Sequence, residues 1–323
     1  MLSLLQIVLP VCLLVVLGFS IRWFGLVKPN ADEIIGDLVF KIAIPVLLFR
    51  LIAISKLDDA NPWTIWASYF IPVAIVWVFA AILLPWAFKR EALYGLIGGI
   101  ASGFANTVLV GIPLILQAYG EAGMVSLTIL LSVHLPVMFF AAAIHHDIAV
   151  AIDGEGGQPE ETWPQKISRL VITVLKNPII IGIIAGSAFR FSGLDMPIIL
   201  LDVTGKISSI AGPLALIVLG MGLNKYGLKG NVGPATITTF LKLFVHPGLV
   251  FVFGAYVFGL PPVFTAGLVL AAAAPTGVNA YLFSQHFGTG HALAANSISI
   301  STPLCVITTT FWLGVLAAHI GGG

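Results

Sequence analysis

The sequence predicts an all-α integral membrane protein of ten transmembrane helices, built as a 5+5 inverted repeat in which spans 4 and 9 are broken and cross. Three observations predict it. Hydrophobic residues make up 59% of the 323-residue chain and charged residues 9%, with a mean hydropathy of +1.06, which is more apolar surface than the core of a soluble domain hides. The apolar runs are about 20 residues long, enough to cross a bilayer as helices, and they lack the alternation of a membrane β-barrel. Finally, a set of motifs in the first half recurs in the second at a nearly constant offset.

Ten spans follow in order, at 3–24, 35–55, 63–88, 94–118, 122–145, 170–191, 198–222, 233–258, 263–286 and 291–318. The first lacks the basic start and small-residue cleavage site of a secretory signal and is read as a span. Its end carries Gly18-x-x-x-Arg22-x-x-Gly25-Leu26-x-x-Pro29, which recurs at the end of the sixth as Gly186-x-x-x-Arg190-x-x-Gly193-Leu194-x-x-Pro197, 168 residues on. Asp37-x-x-x-Lys41-Ile42 of the second, followed by Pro45, recurs in the seventh as Asp202-x-x-x-Lys206-Ile207 with Pro213. Ser132-x-x-x-Pro136 of the fifth recurs in the tenth as Ser299-x-x-x-Pro303, and the offsets stay between 165 and 168. Between the halves, the polar stretch from His146 to Gln165, with Asp153-Gly-Glu-Gly-Gly-Gln-Pro-Glu-Glu161, reads as a cytoplasmic linker. The repeats are therefore 1–146 and 166–323 around a linker at 147–165. Five spans per repeat force the second copy to enter the membrane from the opposite face.

Basic residues set the orientation. Arg22, Lys28, Lys89, Arg90, Lys166, Arg169, Lys225 and Lys229 fall on one side, and Lys56 and Arg190 on the other. The positive-inside rule puts the first group in the cytoplasm and both termini outside the plasma (inner) membrane, on the periplasmic face. A formal net charge of +1 argues against a nucleic-acid partner. Cys12 and Cys305 fall inside spans, where they pack as small apolar groups. Nothing calls for a cofactor or a metal, and no nucleophile elbow, phosphate-binding glycine loop or helical His-Glu-x-x-His pair marks an enzyme. His145-His146-Asp147 reads as an interfacial polar cap.

The candidate site is where helices cannot stay regular. In Gly98-Gly-Ile-Ala-Ser-Gly-Phe-Ala-Asn-Thr-Val-Leu-Val-Gly-Ile-Pro113, the residues Gly103, Gly111 and Pro113 weaken the helix while Asn106 and Thr107 bring polar groups to membrane depth. Ala271-Ala-Ala-Ala-Pro-Thr-Gly-Val-Asn-Ala280 repeats the idea with Pro275, Thr276, Gly277 and Asn279. Two interrupted spans at corresponding positions point to a transporter binding site, and the free N–H groups of half-helix ends favour an anion. Asn106, Thr107, Thr276 and Asn279 are the candidate hydrogen-bonding ligands, and Gly277 admits a ligand close to the backbone. The alternative is that these amides only satisfy the broken backbone.

Four ionisable residues lie deep in spans. Lys242 is the candidate charge partner of an anion, or else snorkels or pairs with a backbone carbonyl. His134 and His246 are candidates for proton coupling, or are buried neutral side chains. Lys206 pairs with Asp202 at helical spacing, as Lys41 does with Asp37, and both pairs read as structural. No acidic residue lies in the spans around the breaks, so no carboxylate-rich sodium site is visible.

Asn106-Thr-Val-Leu-Val-Gly-Ile-Pro113 with Tyr119-Gly120, together with Pro275-Thr-Gly277, resembles the auxin efflux carrier family, over nearly the whole chain. The short central loop is similar to the bacterial branch rather than to the plant PIN-FORMED carriers. The resemblance implies a homodimer in which spans 1, 2, 6 and 7 form a scaffold and spans 3–5 and 8–10 a transport unit that moves like an elevator. It implies a small organic anion, a mono- or dicarboxylate, as substrate. Ala105 stands where the plant pattern has proline, and Asn279 where it has an apolar residue. The expectation is a secondary transporter of small organic anions in the lipid bilayer, coupled to protons rather than sodium. The alternative is a receptor or sensor that binds a small carboxylate without transporting it.

Overall fold

The computed structural model describes residues 2–54, 61–154, 162–223, 230 and 232–321. Within them the chain is helical: α1 (Leu2–Trp23), α2 (Ala31–Leu38), α3 (Ile44–Ile54), α4 (Pro62–Phe88), α5 (Ala92–Gly103), α6 (Ile112–Asp153), α7 (Trp163–Leu175), α8 (Pro178–Phe191), α9 (Ile198–Gly222), α10 (Gly233–Phe240), α11 (His246–Val252), α12 (Pro262–Ala273), α13 (Asn279–His286) and α14 (His291–Gly321). Five segments are long and apolar enough to cross a membrane: Pro62–Phe88, Thr107–Asp153, Ile198–Gly222, Gly233–Val257 and His291–Gly321. The bent pair α7 and α8 would make a sixth. Large apolar side chains such as Leu13, Ile82, Trp86, Ile198 and Ile307 point outward, as suits a protein solvated by lipid.

Local chemistry sets the helix starts. Asn61 and Asn177 accept from the backbone N–H of Trp63 and Ile179 at 3.0 and 2.9 Å, each ahead of a proline whose missing N–H costs nothing in a first turn. Elsewhere proline is absorbed differently. The π-helical turns Val39–Ala43, Thr107–Gly111 and Leu241–Val245 each end two residues before a proline, at Pro45, Pro113 and Pro247. A proline ring crowds the turn before it and supplies no donor, and a wider turn relieves both problems.

Packing brings distant helices together: α1 lies on α9, α3 on α8, α4 on α5, and α12 on α6, α11 and α14. The repeated glycine motif explains the first two contacts. A Cβ on Gly18 of α1 would strike the backbone of Ile217 in α9, and one on Gly186 of α8 would strike the backbone of Phe49 in α3. The partner glycines of the same motif, Gly25 and Gly193, both take left-handed backbone, with φ of 66° and 67°. This conformation suits glycine after a helix end.

Several boundaries differ from the expected ones. Helix α6 continues past 145 to Asp153, whose carboxylate accepts from the N–H groups of Ala92 and Leu93 at 2.7 and 2.9 Å and so caps α5. The expected sixth span, 170–191, is two helices bent by 67° at Asn177-Pro178, so 170–175 belong to α7. That helix shows an exposed apolar stripe of Trp163, Ile167, Val171 and Leu175, four residues apart as in an interfacial helix. Gly111 and Pro113, expected to break span 4, lie instead within its continuing helical part, because the π turn accommodates the proline. The break falls at Phe104–Asn106, directly after Gly103 and at the Asn106 where regularity was expected to fail, and the helical path is interrupted again at Gly120 (φ 60°, ψ −152°). Lys56, Lys225, Lys229, residues 155–161 of the linker and the side chain of Lys166 lie outside the described residues.

Candidate functional site

Two helical segments are interrupted and meet at their breaks, and only one of the breaks is encoded locally. Helix α12 stops at Ala273 because Ala274 precedes Pro275, and a residue before proline is driven from helical to extended backbone; Ala274 has φ −58° and ψ 149°. Helix α5 stops at Gly103 with no proline to stop it. There Phe104 is also extended, at φ −86° and ψ 98°, and Ala105 forms an antiparallel bridge with Thr276. The N–H of Asn106 donates to the Pro275 carbonyl, and the N–H of Gly277 to the Phe104 carbonyl, each at 2.8 Å. The proline-encoded break thus supplies the partners that hold the second one open. The close approach at Gly277 is that of the other crossing strand: a Cβ there would lie 3.1 and 3.3 Å from the carbonyl oxygens of Phe104 and Ala105.

A broken helix exposes carbonyls at one end and N–H groups at the other. Both carbonyl ends are answered by side chains. The Thr276 hydroxyl donates to Ala101 at the end of α5 at 2.9 Å, while the N–H of Thr276 donates to Ser301 Oγ of α14 at 3.0 Å. At the end of α12, the Lys242 amine donates to the Ala272 carbonyl and lies 3.2 Å from His246 Nδ1. The Lys242 amine is therefore turned inward to a backbone carbonyl and does not snorkel to a surface. At the N–H ends, Asn106 Oδ1 accepts from the N–H of Leu109 at 3.3 Å. Thr107 opens the π turn, and half-buried Asn279 is the first residue of α13. Asn106 keeps 8% of its surface exposed, whereas Thr107, Pro275, Thr276 and Gly277 are buried.

Behind the crossing, four helices bring aromatic and basic side chains together. Lys242 and His246 are fully buried and His134 is 3% exposed. The ring of Tyr69, from α4, stands edge-on to His246 at 5.2 Å and to His134 at 5.6 Å, and Phe104 meets His134 at 5.1 Å. The Tyr69 hydroxyl, His134 Nε2 and His246 Nε2 are buried without a hydrogen-bond partner. The sequence reasoning missed Tyr69 and Ser301. A lone tyrosine or serine in an apolar run carries no signal of which neighbour it meets.

Arg50 of α3 was missed too. It forms a 2.7 Å ion pair with Glu121 of α6, at the edge of a cavity of about 150 Å³ lined by Leu51, Ile52, Trp66, Glu121, Thr128 and Ser187. The pairs Asp37–Lys41 and Asp202–Lys206 form as their spacing predicts, each at 2.7 Å. In the expected polar cap, Trp77 Nε1 donates to His145 Nδ1 at 2.9 Å and His146 stacks on Phe287.

The model of the family described as "Membrane transport protein" matches residues 3–313. A protein of Rhizobium meliloti (strain 1021) named "Putative malonate transporter" is 25% identical over 319 residues, covering 94% of this chain and 93% of its own. An "Uncharacterized transporter" of Methanothermobacter thermautotrophicus is 25% identical over 316 residues, covering 96% of this chain and 98% of its own. A third relative, an uncharacterized transporter of Methanocaldococcus jannaschii, is 23% identical over 329 residues, covering 97% and 98%.

Proposed function

The chain belongs to the membrane transport protein family, that of the auxin efflux carriers, and we propose that it is a secondary transporter of small mono- or dicarboxylates, bound at the crossing of the two broken helices. The carrying observation is the meeting of the two breaks: a carbonyl at each carbonyl end takes a side-chain donor, Ala101 from Thr276 and Ala272 from Lys242, while the N–H ends carry the carboxamides of Asn106 and Asn279. With its negative ends masked, such a crossing presents mainly positive dipole ends, and these favour a carboxylate. The name of the Rhizobium relative makes malonate the first candidate.

In this reading the chain has ten spans in two inverted repeats, with both termini outside. Span 4 is α5 plus the helical part up to Tyr119, and span 5 is α6 after Gly120. The 47-residue segment Thr107–Asp153 would be about 70 Å long if straight, against about 30 Å of hydrocarbon. The interruption at Gly120 supports two passages in place of one. The matched contacts of Gly18 and Gly186, and the matched backbone of Gly25 and Gly193, support the repeat. Spans 1, 2, 6 and 7 serve as scaffold and spans 3–5 and 8–10 as the moving unit of an elevator, in a homodimer coupled to protons.

Titration calorimetry of purified protein with malonate tests the site. A charge-assisted hydrogen bond contributes about 1.5–3 kcal/mol. Asn106→Ala and Asn279→Ala are therefore expected to weaken binding by about 10- to 100-fold each. Unchanged affinity in both variants would remove the site from the crossing.

A further inference from the structure

We propose that the Lys242 amine is an exchangeable proton site, filled when an anion occupies the crossing, so that one proton is taken up with each anion. This rests on the reading of the crossing as an anion site.

Lys242 is fully buried in the π turn between α10 and α11, packed against α4, α5, α12 and α14. The titratable groups around it are Tyr69 of α4, His134 of α6, His246 one turn along its own span, and Cys305 of α14. None supplies a resident negative charge, and no Asp or Glu occurs in α4, α5, α10, α11, α12 or α14. The amine's two bonded partners are neutral, the Ala272 carbonyl and His246 Nδ1. A buried ammonium without a carboxylate is expensive, and the end of a short helix offers only a partial charge in return. A carboxylate at the crossing, next to the helix end that Lys242 caps, supplies what is missing. The anion therefore stabilises NH3+ over NH2. By reciprocity the protonated amine binds the anion more tightly.

A purely structural cap needs only a donor, and would leave the surrounding groups unexplained. Tyr69 hydroxyl, His134 Nε2 and His246 Nε2 are buried and unpartnered. Their rings pack in succession from His246 through Tyr69 to His134, which meets Phe104 at the break, with centroids 5.2, 5.6 and 5.1 Å apart. Tyr69, His134 and His246 are thus polar groups left open beside Lys242 that a proton or water could engage. The balance is simple: the amine gains one proton on loading and returns it where the anion leaves.

The test is calorimetry of malonate binding to the full chain in buffers of different ionisation enthalpy, across neutral to alkaline pH, with malonate's own titration subtracted. The wild type is expected to take up about one proton per malonate, with Kd rising by up to about tenfold per pH unit as the amine empties. Lys242→Arg, which keeps its charge at all these pH values, is expected to bind without proton uptake and without that pH dependence. Lys242→Met is expected to lose the uptake and to bind more weakly, and thermal melting shows whether each variant is folded. Uptake that persists in either folded variant, or wild-type binding without uptake, would overturn the proposal. Absence of malonate binding by the wild type would instead overturn the anion site, and this inference with it.

Discussion

At Gly277 the two interrupted segments meet backbone to backbone, its N–H donating to the Phe104 carbonyl at 2.8 Å. A methyl group there would press on the carbonyl oxygens of Phe104 and Ala105, at 3.1 and 3.3 Å, the first of which accepts from the Gly277 N–H, and neither neighbour is a flexible side chain that can move aside. Gly277→Ala is expected to lower stability by about 1–3 kcal/mol through overpacking and to shift thermal melting downward. A melting curve like the wild type's would mean that the crossing is looser than its hydrogen bonds imply. The same residue shows what a sequence conveys at this scale. Its need for a small side chain was legible from the Pro275-Thr-Gly277 pattern, but the object that approaches it was not: the space belongs to the other crossing strand. Lys242 was legible as an unusual buried charge. Its bond to Ala272 was not, because helical spacing says nothing about a partner 30 residues away. Tyr69 left no trace, since an aromatic residue in an apolar span looks alike whether it faces lipid or a histidine.

At the scale of elements, the break at Pro275 could be read directly, because proline constrains the residue before it. The break at Phe104–Asn106 could be read only through its polar residues, since it is held open by tertiary hydrogen bonds, from the Asn106 N–H to the Pro275 carbonyl and from the Gly277 N–H to the Phe104 carbonyl. Gly111 and Pro113 misled for a related reason: a π turn lets a helix pass a proline without stopping, and hydrophobic patterning does not distinguish a π turn from an α turn. Helix α6 runs past the expected end of span 5 at 145, to Asp153, which reaches back to cap α5, a contact across 61 residues. The Arg50–Glu121 pair joins α3 to α6, elements that the elevator reading assigns to scaffold and moving unit. Sliding one past the other must break it. Glu121 is more than half exposed, and exposed pairs contribute about 0.2–1 kcal/mol, so Glu121→Gln is expected to speed malonate exchange by about two- to fivefold. Combining Arg50→Glu with Glu121→Arg should return it toward the wild-type rate. No change in the single variant, measured by exchange in proteoliposomes, would show that the pair does not cross the moving boundary.

For the whole molecule, composition and run length were enough to identify an integral membrane protein, and the family match across residues 3–313 agrees. The recurring motif was legible because its residues have physical duties: close helix contact at Gly18 and Gly186, left-handed turns at Gly25 and Gly193. The pairs Asp37–Lys41 and Asp202–Lys206 raise a question of environment, since all four side chains are at least 60% exposed on helices within predicted spans. Charges so placed are costly against lipid, and a second copy of the chain covering them fits the proposed homodimer. The work proposed for the fold as a unit is to move an anion, and binding alone does not separate a carrier from a sensor. The most direct measurement is uptake of labelled malonate into proteoliposomes loaded with unlabelled malonate, comparing the wild type with Asn106→Ala and Asn279→Ala. The account predicts uptake by the wild type and a loss of at least about tenfold in each variant, in line with the lost hydrogen bond. Binding without uptake, or equal uptake by all three proteins, would contradict it.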